Sequence, residues 1–195
     1  DDKNPEKDDG STPLHYAAQN GYFDICKLIV GNVDDKNPAM SNGTTPLYVA
    51  AQKGHFDICK LIVDNVDDKN PATEDGFTPL FVAVQIGHLD ICKLIVDKVD
   101  DDNLAMVNGT TTLHMAVKKG HFDIFSFIFD NVDNKNPANH AGYTPLHFAA
   151  KYGNLEILKF IFQNIKIKNP CSNNGTTPFR MATTQVKIFI LKQWI

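Results

Sequence analysis

Apolar residues recur along this chain in two short patterns that alternate with polar connectors. In the first pattern, Leu14 and Ala18 are spaced so that they lie on one face of a helix. In the second, Ile25, Leu28 and Ile29 form a stripe with helical spacing. We therefore expect each apolar segment to be a short helix, with Ile25, Leu28 and Ile29 in the core.

Local signals mark where these helices begin and end. Thr12 suits the N-cap, and Pro13 suits the first helical position, where its missing N–H costs no hydrogen bond. Gly21 can adopt the left-handed conformation that ends the first helix. The second helix is predicted to end at asparagines that tolerate the same conformation. These are Asn32, Asn65, Asn131 and Asn164.

The whole pattern returns every 33 residues, without insertion or deletion. The phrase "NVDDKNPA" at 32–39 is repeated letter for letter at 65–72. A helix pair of this size cannot bury its own apolar face, so consecutive pairs must stack. We predict one domain over 1–195, with a partial arm at 1–9, an irregular unit at 175–195 and five regular repeats between them. The regular repeats are 10–42, 43–75, 76–108, 109–141 and 142–174.

The motif "TPLH" followed by Ala, in a 33-residue repeat, resembles the ankyrin repeat. The resemblance implies an all-α ankyrin-repeat solenoid of helix-turn-helix units with projecting β-hairpin loops. It also implies a binding surface along the hairpin tips and the inner helices. The histidines of the motif, His15, His114 and His147, would brace the hairpin backbone.

Three cysteines, Cys26, Cys59 and Cys92, stand at one repeat position. Disulfides are disfavoured, because stacked helices lie about 8–10 Å apart, whereas bridged Cα atoms lie within about 7 Å. A zinc site is disfavoured because no closely spaced cysteine pair exists. The equivalent position is assigned to Phe125, Leu158 and Leu191 in later units. We interpret the cysteines as small core residues and expect no metal or cofactor.

Catalytic motifs are also missing from the sequence. No GxGxxG, P-loop, HExxH, GxSxG or CxxC pattern is present. The motif histidines have no repeated nucleophile or base beside them, and we expect His55, His88 and His121 to cap or contact the turn. The aspartates of the connectors are interpreted as a solvated acidic edge. We therefore predict that this chain is not an enzyme.

Positions that vary between repeats are the candidates for recognition. Apolar side chains stand where we expect solvent, with lysines among them, which is typical of an interaction patch. The alternative is that these side chains cover neighbouring hairpins and bind nothing. The predicted partner-binding residues are Phe77, Gln85, Ile86, Val107, Lys118, Lys119, His140, Tyr143, Lys151 and Tyr152.

The net charge of −4 over the whole chain predicts no general attraction to nucleic acid or an anionic membrane. No apolar run approaches the roughly 20 residues of a membrane span, and the first residues do not form a signal peptide. We expect an intracellular, cytoplasmic protein, with the nucleus also open, that binds another protein or peptide as a monomer. Alternatively, it is a regulatory or targeting domain of a larger enzyme, channel or signalling protein that acts intramolecularly.

The last unit departs from the pattern. Val186 stands where other units have the turn glycine, and Phe189 stands where they have Asp or Glu. Either its second helix shifts by one residue, or a further segment covers its apolar face.

Overall fold

A computed structural model describes residues 4–99, 105–106, 108–166 and 169–193. The chain divides into two compact units, Asp1–Asp100 and Asp101–Ile195. The described residues form twelve helices. These are α1 Pro13–Asn20, α2 Phe23–Val30, α3 Pro46–Lys53, α4 Phe56–Val63, α5 Pro79–Ile86, α6 Leu89–Val96, α7 Thr112–Lys119, α8 Phe122–Asn131, α9 Pro145–Tyr152, α10 Leu155–Asn164, α11 Pro178–Met181 and α12 Thr184–Gln193.

The helices stack repeat upon repeat within each unit. We call the odd-numbered helices inner and the even-numbered helices outer. In the first unit α1 packs on α3 and α3 on α5, while α2 packs on α4 and α4 on α6. In the second unit α7 packs on α9 and α9 on α11, with α8 against α10. The predicted all-α repeat fold is confirmed.

The inner helices begin and end as their sequences predict. Thr45 is an extended N-cap whose hydroxyl accepts the N–H of Tyr48 at 3.2 Å, and Pro46 follows at the first helical position. Gly54 then adopts the left-handed conformation, with φ of 79°, and its N–H reaches the carbonyl of Ala50. A threonine and a glycine thus fix the length of the helix between them.

The predicted left-handed asparagines are wrong. No described residue other than glycine has a positive φ. Instead, the amides of Asn32, Asn65, Asn131 and Asn164 each donate to the carbonyl four residues earlier at 2.8 Å. A side-chain donor can satisfy one of the free carbonyls at a helix end without any strained backbone.

The predicted hairpin arms form as tight turns. In the turn at 40–43, the Gly43 N–H bonds to the Met40 carbonyl at 2.8 Å, and the Met40 N–H bonds to the Thr44 carbonyl at 2.8 Å. Because Asn42 keeps a negative φ and Gly43 has φ of 81°, this is the three-residue loop with a left-handed glycine rather than a type I′ turn. The described residues contain one isolated bridge, Ala105 to Thr111, and no longer strand pairing.

Successive turns touch within each unit. The Ser41 N–H donates to the Asp9 carbonyl at 3.0 Å, and the Glu74 N–H donates to the Asn42 carbonyl at 3.1 Å. The contact is close: a Cβ atom on Gly43 would lie 2.8 Å from Cα of Thr73. Gly43 is therefore required both by its φ and by the backbone of the next turn.

We expect Gly43→Ala to lower the free energy of unfolding by about 1–3 kcal/mol, because it adds left-handed strain and a clash with backbone atoms. Gly175→Ala is the matched control, since Gly175 has φ of 73° but no atom within 4 Å of its Cβ position. Urea unfolding followed by circular dichroism measures both. Equal losses in the two variants would show that the contact between turns carries no energy.

The predicted core stripe of α2 is only partly correct, whereas the equivalent residues of α4 are better buried. Ile58 is 2% exposed, whereas Ile25 and Leu28 are 49% and 68% exposed, and Ile29 is buried as expected. Helices α2 and α4 have the same eight residues, so their difference comes from their neighbours. In α4 this face packs on α2, whereas α2 is the first outer helix of the described chain.

The last outer helix is shifted by about one turn, not by one residue. Helix α10 begins at Leu155, and α12 begins at Thr184, which is 29 residues later instead of 33. A four-residue shift nearly preserves the helix face, so Val186 and Ile190 are buried where Ile157 and Ile161 lie in α10. The assignment of Leu191 to the cysteine position is therefore wrong, and the shorter inner helix α11 accommodates the shift.

Candidate functional site

Histidines at the third position of three inner helices fasten the next turn. Nδ1 of His114 accepts the Thr111 N–H at 3.2 Å and lies 2.9 Å from the Thr111 hydroxyl. Nε2 lies 2.9 Å from the Tyr143 carbonyl, 29 residues further along. A carbonyl can only accept, so Nε2 carries the proton and Nδ1 is the acceptor. This is the bracing role that the resemblance implies.

Burial keeps these histidines neutral. Desolvation lowers the pKa of His114 to about 4, against the bond to Tyr143, which favours the charged form. Burial also lowers the pKa of His15 and His147, which bond to the carbonyls of Thr44 and Thr176. Both ring nitrogens of each are already engaged, so the three serve the fold.

Two histidines of the second row, His55 and His88, contact the turns, as expected. The ring of His55 lies over Gly21, where a Cβ atom would come within 2.7 Å of its Cε1. Its Nε2 is 3.3 Å from the Gln19 carbonyl. His88 covers Gly54 in the same way. Before α10, Asn154 occupies this position and donates to the Val117 carbonyl.

The cysteines at the repeat position are core residues. Cys26, Cys59 and Cys92 are free thiols with no exposed surface. Desolvation raises the pKa of Cys59 and Cys92 to about 12 and that of Cys26 to about 11. A thiol that stays protonated is a poor nucleophile and metal ligand. Within the described ranges, no group of three His, Cys, Asp or Glu side chains is arranged to hold a metal ion.

In the first unit the asparagine before the connector proline caps the next inner helix, a role that the sequence reasoning missed. Oδ1 of Asn37 accepts the Leu47 N–H at 2.9 Å, and Oδ1 of Asn70 accepts the Leu80 N–H at 2.9 Å. Asp68 in turn accepts the Asn70 N–H at 3.0 Å. The signal was the asparagine itself, which recurs in every connector.

The structure separates the predicted partner-binding residues into two groups. The exposed ones are Ile86, Lys118, Lys119, His140, Lys151 and Tyr152. The half-buried ones are Phe77, Gln85 and Tyr143. Val107 lies outside the described residues.

Two of the half-buried side chains are engaged inside the protein. The ring of Phe77 packs edge-on against Phe81 at 5.5 Å. The ring of Tyr143 packs edge-on against His147 at 5.4 Å, and its hydroxyl accepts a bond from Asn174 at 3.3 Å. Both rings therefore pack within their own repeat, and Tyr143 also bonds to the next turn.

The exposed lysines and Tyr152 lie at the C-terminal ends of two inner helices that pack together. Lys118 and Lys119 end α7, and Lys151 and Tyr152 end α9. The Tyr152 ring is 42% exposed, lies 5.9 Å from Phe148, and has the Lys151 Nζ atom 5.6 Å from its centre. An aromatic anchor beside cations is an arrangement that can hold an anionic or apolar side chain.

Further apolar surface lies on outer helices. Tyr22, just before α2, and Ile188 on α12 are 55% and 53% exposed. A shallow groove of about 580 Å³ also runs along α8 and α10, with the Phe122 and Phe160 rings 5.7 Å apart in its wall. None of the described helices combines the length and apolarity that crossing a lipid bilayer requires.

Comparison with known families agrees with this geometry. A family model described as "Ankyrin repeats (3 copies)" matches residues 1–73, 65–138 and 94–174. A search of curated proteins finds no match. The family match covers all five regular repeats and stops before the irregular last unit.

Proposed function

Because the chain belongs to the ankyrin-repeat family, we propose that it is a non-enzymatic module that binds another protein through its inner helices and turn tips. Ankyrin repeats are in general protein-interaction modules. The observation that best supports this function is the exposure of Ile86 and Tyr152, which are 47% and 42% exposed at equivalent ends of inner helices. Aromatic and aliphatic side chains in such positions commonly anchor a partner.

Rigidity supports the same function. Each inner helix from α1 to α9 is fixed by a threonine at its start, a left-handed glycine at its end and, in three repeats, a histidine bonded to the next turn. A surface held in this way loses little conformational freedom when a partner docks. Modest contacts are then enough for specific binding.

Affinity capture from native lysate, with the full chain as bait and mass spectrometry as the readout, tests this function. We expect Tyr152→Ser, or Ile86→Ser, to reduce recovery of the main partner by about tenfold, because loss of one anchor costs about 1–2 kcal/mol. The matched control is Ile188→Ser, which removes an apolar residue of similar exposure from an outer helix. Recovery that is unchanged in both test variants would reject the inner-helix surface.

A further inference from the structure

Lysines replace neutral residues at the ends of two neighbouring inner helices in the second unit. The last two residues of α1 are Gln19 and Asn20, and those of α5 are Gln85 and Ile86. At the same positions α7 has two lysines and α9 has Lys151. Helix α3 ends with one lysine, Lys53. Cations stabilise helix C-termini slightly, but α1 and α5 end without any, so the fold does not require them.

Charge is segregated between the two kinds of helix. None of the six inner helices contains Asp or Glu, while every outer helix from α2 to α10 has an acidic residue in its first turn. The asymmetry also runs along the chain, because residues 134–195 contain eight Lys and Arg but one acidic residue, Glu156. The net charge of the whole chain conceals this local excess of positive charge.

These cations are available for a partner. Lys118, Lys119 and Lys151 are exposed, and none of them forms an ion pair within the part of the chain that the structure describes. Neighbouring helices lie about 8–10 Å apart, which is close to the screening length of about 10 Å at moderate salt. The potentials of the two helix ends therefore add.

We propose that the cationic surface formed by Lys118, Lys119, Lys151 and Tyr152 binds an acidic segment of a partner polypeptide. The proposal rests on the protein-binding function above and names the chemistry of the partner. An extended peptide advances about 3.3 Å per residue, so carboxylates three residues apart match the spacing of the two helix ends. An apolar residue of the peptide, between the two carboxylates, then packs against Tyr152.

An acidic polypeptide fits better than nucleic acid. Tight binding to nucleic acid draws on about 6–10 phosphate contacts, while this surface offers three cations and one aromatic ring. The first 133 residues contain twenty-two acidic residues and eleven Lys and Arg, which opposes a long polyanion. A short acidic segment can use the local charge without meeting that repulsion.

Fluorescence anisotropy with the full chain tests the proposal. The probe is a labelled synthetic peptide with glutamate at every third position and leucine between, compared with the same peptide carrying glutamine. We expect the glutamate peptide to bind at least about tenfold more tightly, and to weaken as salt is raised from about 50 to about 300 mM.

The variant that carries Lys118→Gln, Lys119→Asn and Lys151→Gln copies the residues of the first repeat and should lose about tenfold in affinity for the glutamate peptide. The matched control removes three exposed lysines from the first unit, through Lys27→Gln, Lys60→Gln and Lys98→Gln. Thermal melting checks that both variants fold.

Equal losses in the two triple variants, or equal binding of the two peptides, would overturn the proposal. Tighter binding of a single-stranded RNA of similar length would also overturn it, in favour of nucleic acid. If lysate capture succeeds while the glutamate peptide fails, the acidic partner is wrong and the protein-binding function stands. If capture fails as well, the function itself is rejected.

Discussion

Ile58→Ala should lower the free energy of unfolding by about 2–5 kcal/mol, whereas Ile25→Ala should lower it by less than about 1 kcal/mol. The two isoleucines occupy the same place in identical eight-residue helices, α4 and α2. Ile58 is 2% exposed and Ile25 is 49% exposed. Because α2 and α4 have the same sequence, their helix propensities are equal. The difference between the two losses of unfolding free energy therefore measures packing alone.

The large cost at Ile58 has two sources. Truncation removes buried methyl groups from contact with α2, and the rigid stack cannot close the cavity that remains. Ile25 is 49% exposed, so its truncation removes few buried contacts. Urea unfolding of both variants beside the parent chain gives the comparison. Losses that agree within about half a kcal/mol would mean that α2 does not cover Ile58 in solution.

Acidification should destabilise the protein as pH falls from about 6.5 toward 4, with His114 alone contributing about 3 kcal/mol. The folded state lowers the pKa of His114 to about 4 because burial disfavours the charged ring. The unfolded chain therefore binds more protons over this window. The contribution of His114 to the free energy of unfolding is complete above its unfolded-state pKa of about 6.5. It is lost as pH falls toward its folded-state pKa of about 4.

The measurement is urea unfolding at several pH values between about 7.5 and 4.5, with His114→Phe as the test variant, since an aromatic residue, Phe81, occupies this position in α5. His114→Phe should be less stable at neutral pH, because it loses the bonds to Thr111 and Tyr143, but its pH slope should be shallower. A parent-like slope in His114→Phe would show that this histidine does not titrate with folding.

Periodicity alone predicted the repeat fold, because a short helix pair buries its apolar face by stacking on the next pair. The spacing of Thr45, Pro46 and Gly54 fixed the ends of an inner helix, and the shared position of the cysteines placed them in the core. These inferences depend on local backbone preferences, which follow from residue type, and on burial, which follows from the spacing of apolar residues.

Periodicity does not reveal which neighbours a helix face meets. The stripe of α2 reads the same as that of α4, yet Leu28 is 68% exposed. In the same way, the pattern could not separate Phe77 and Tyr143, which pack against their own repeats, from Tyr152, which faces solvent. Exposure is a property of the assembled stack.

Two further features were not seen from the sequence, one because charge was averaged over the chain and one because its partners are far apart in sequence. The net charge of −4 hid the difference between inner helices without acids and connectors rich in them. The capping role of Asn70 joins residues ten positions apart, from Oδ1 to the Leu80 N–H, which lies beyond the reach of nearest-neighbour capping rules. The recurrence of that asparagine was visible, but its hydrogen-bond partner was not.

The contact between successive turns is made by main-chain atoms, as in the bond from the Ser41 N–H to the Asp9 carbonyl. In the second unit the Asn173 side chain also donates to the His140 carbonyl at 2.9 Å, so some tip side chains take part. Turn tips that meet through main-chain atoms alone keep this contact whatever their side chains, provided that each glycine stays. Such tips can be rewritten residue by residue while the stack remains intact, which gives this architecture a natural set of exchangeable specificity determinants and a ready template for engineering new binders.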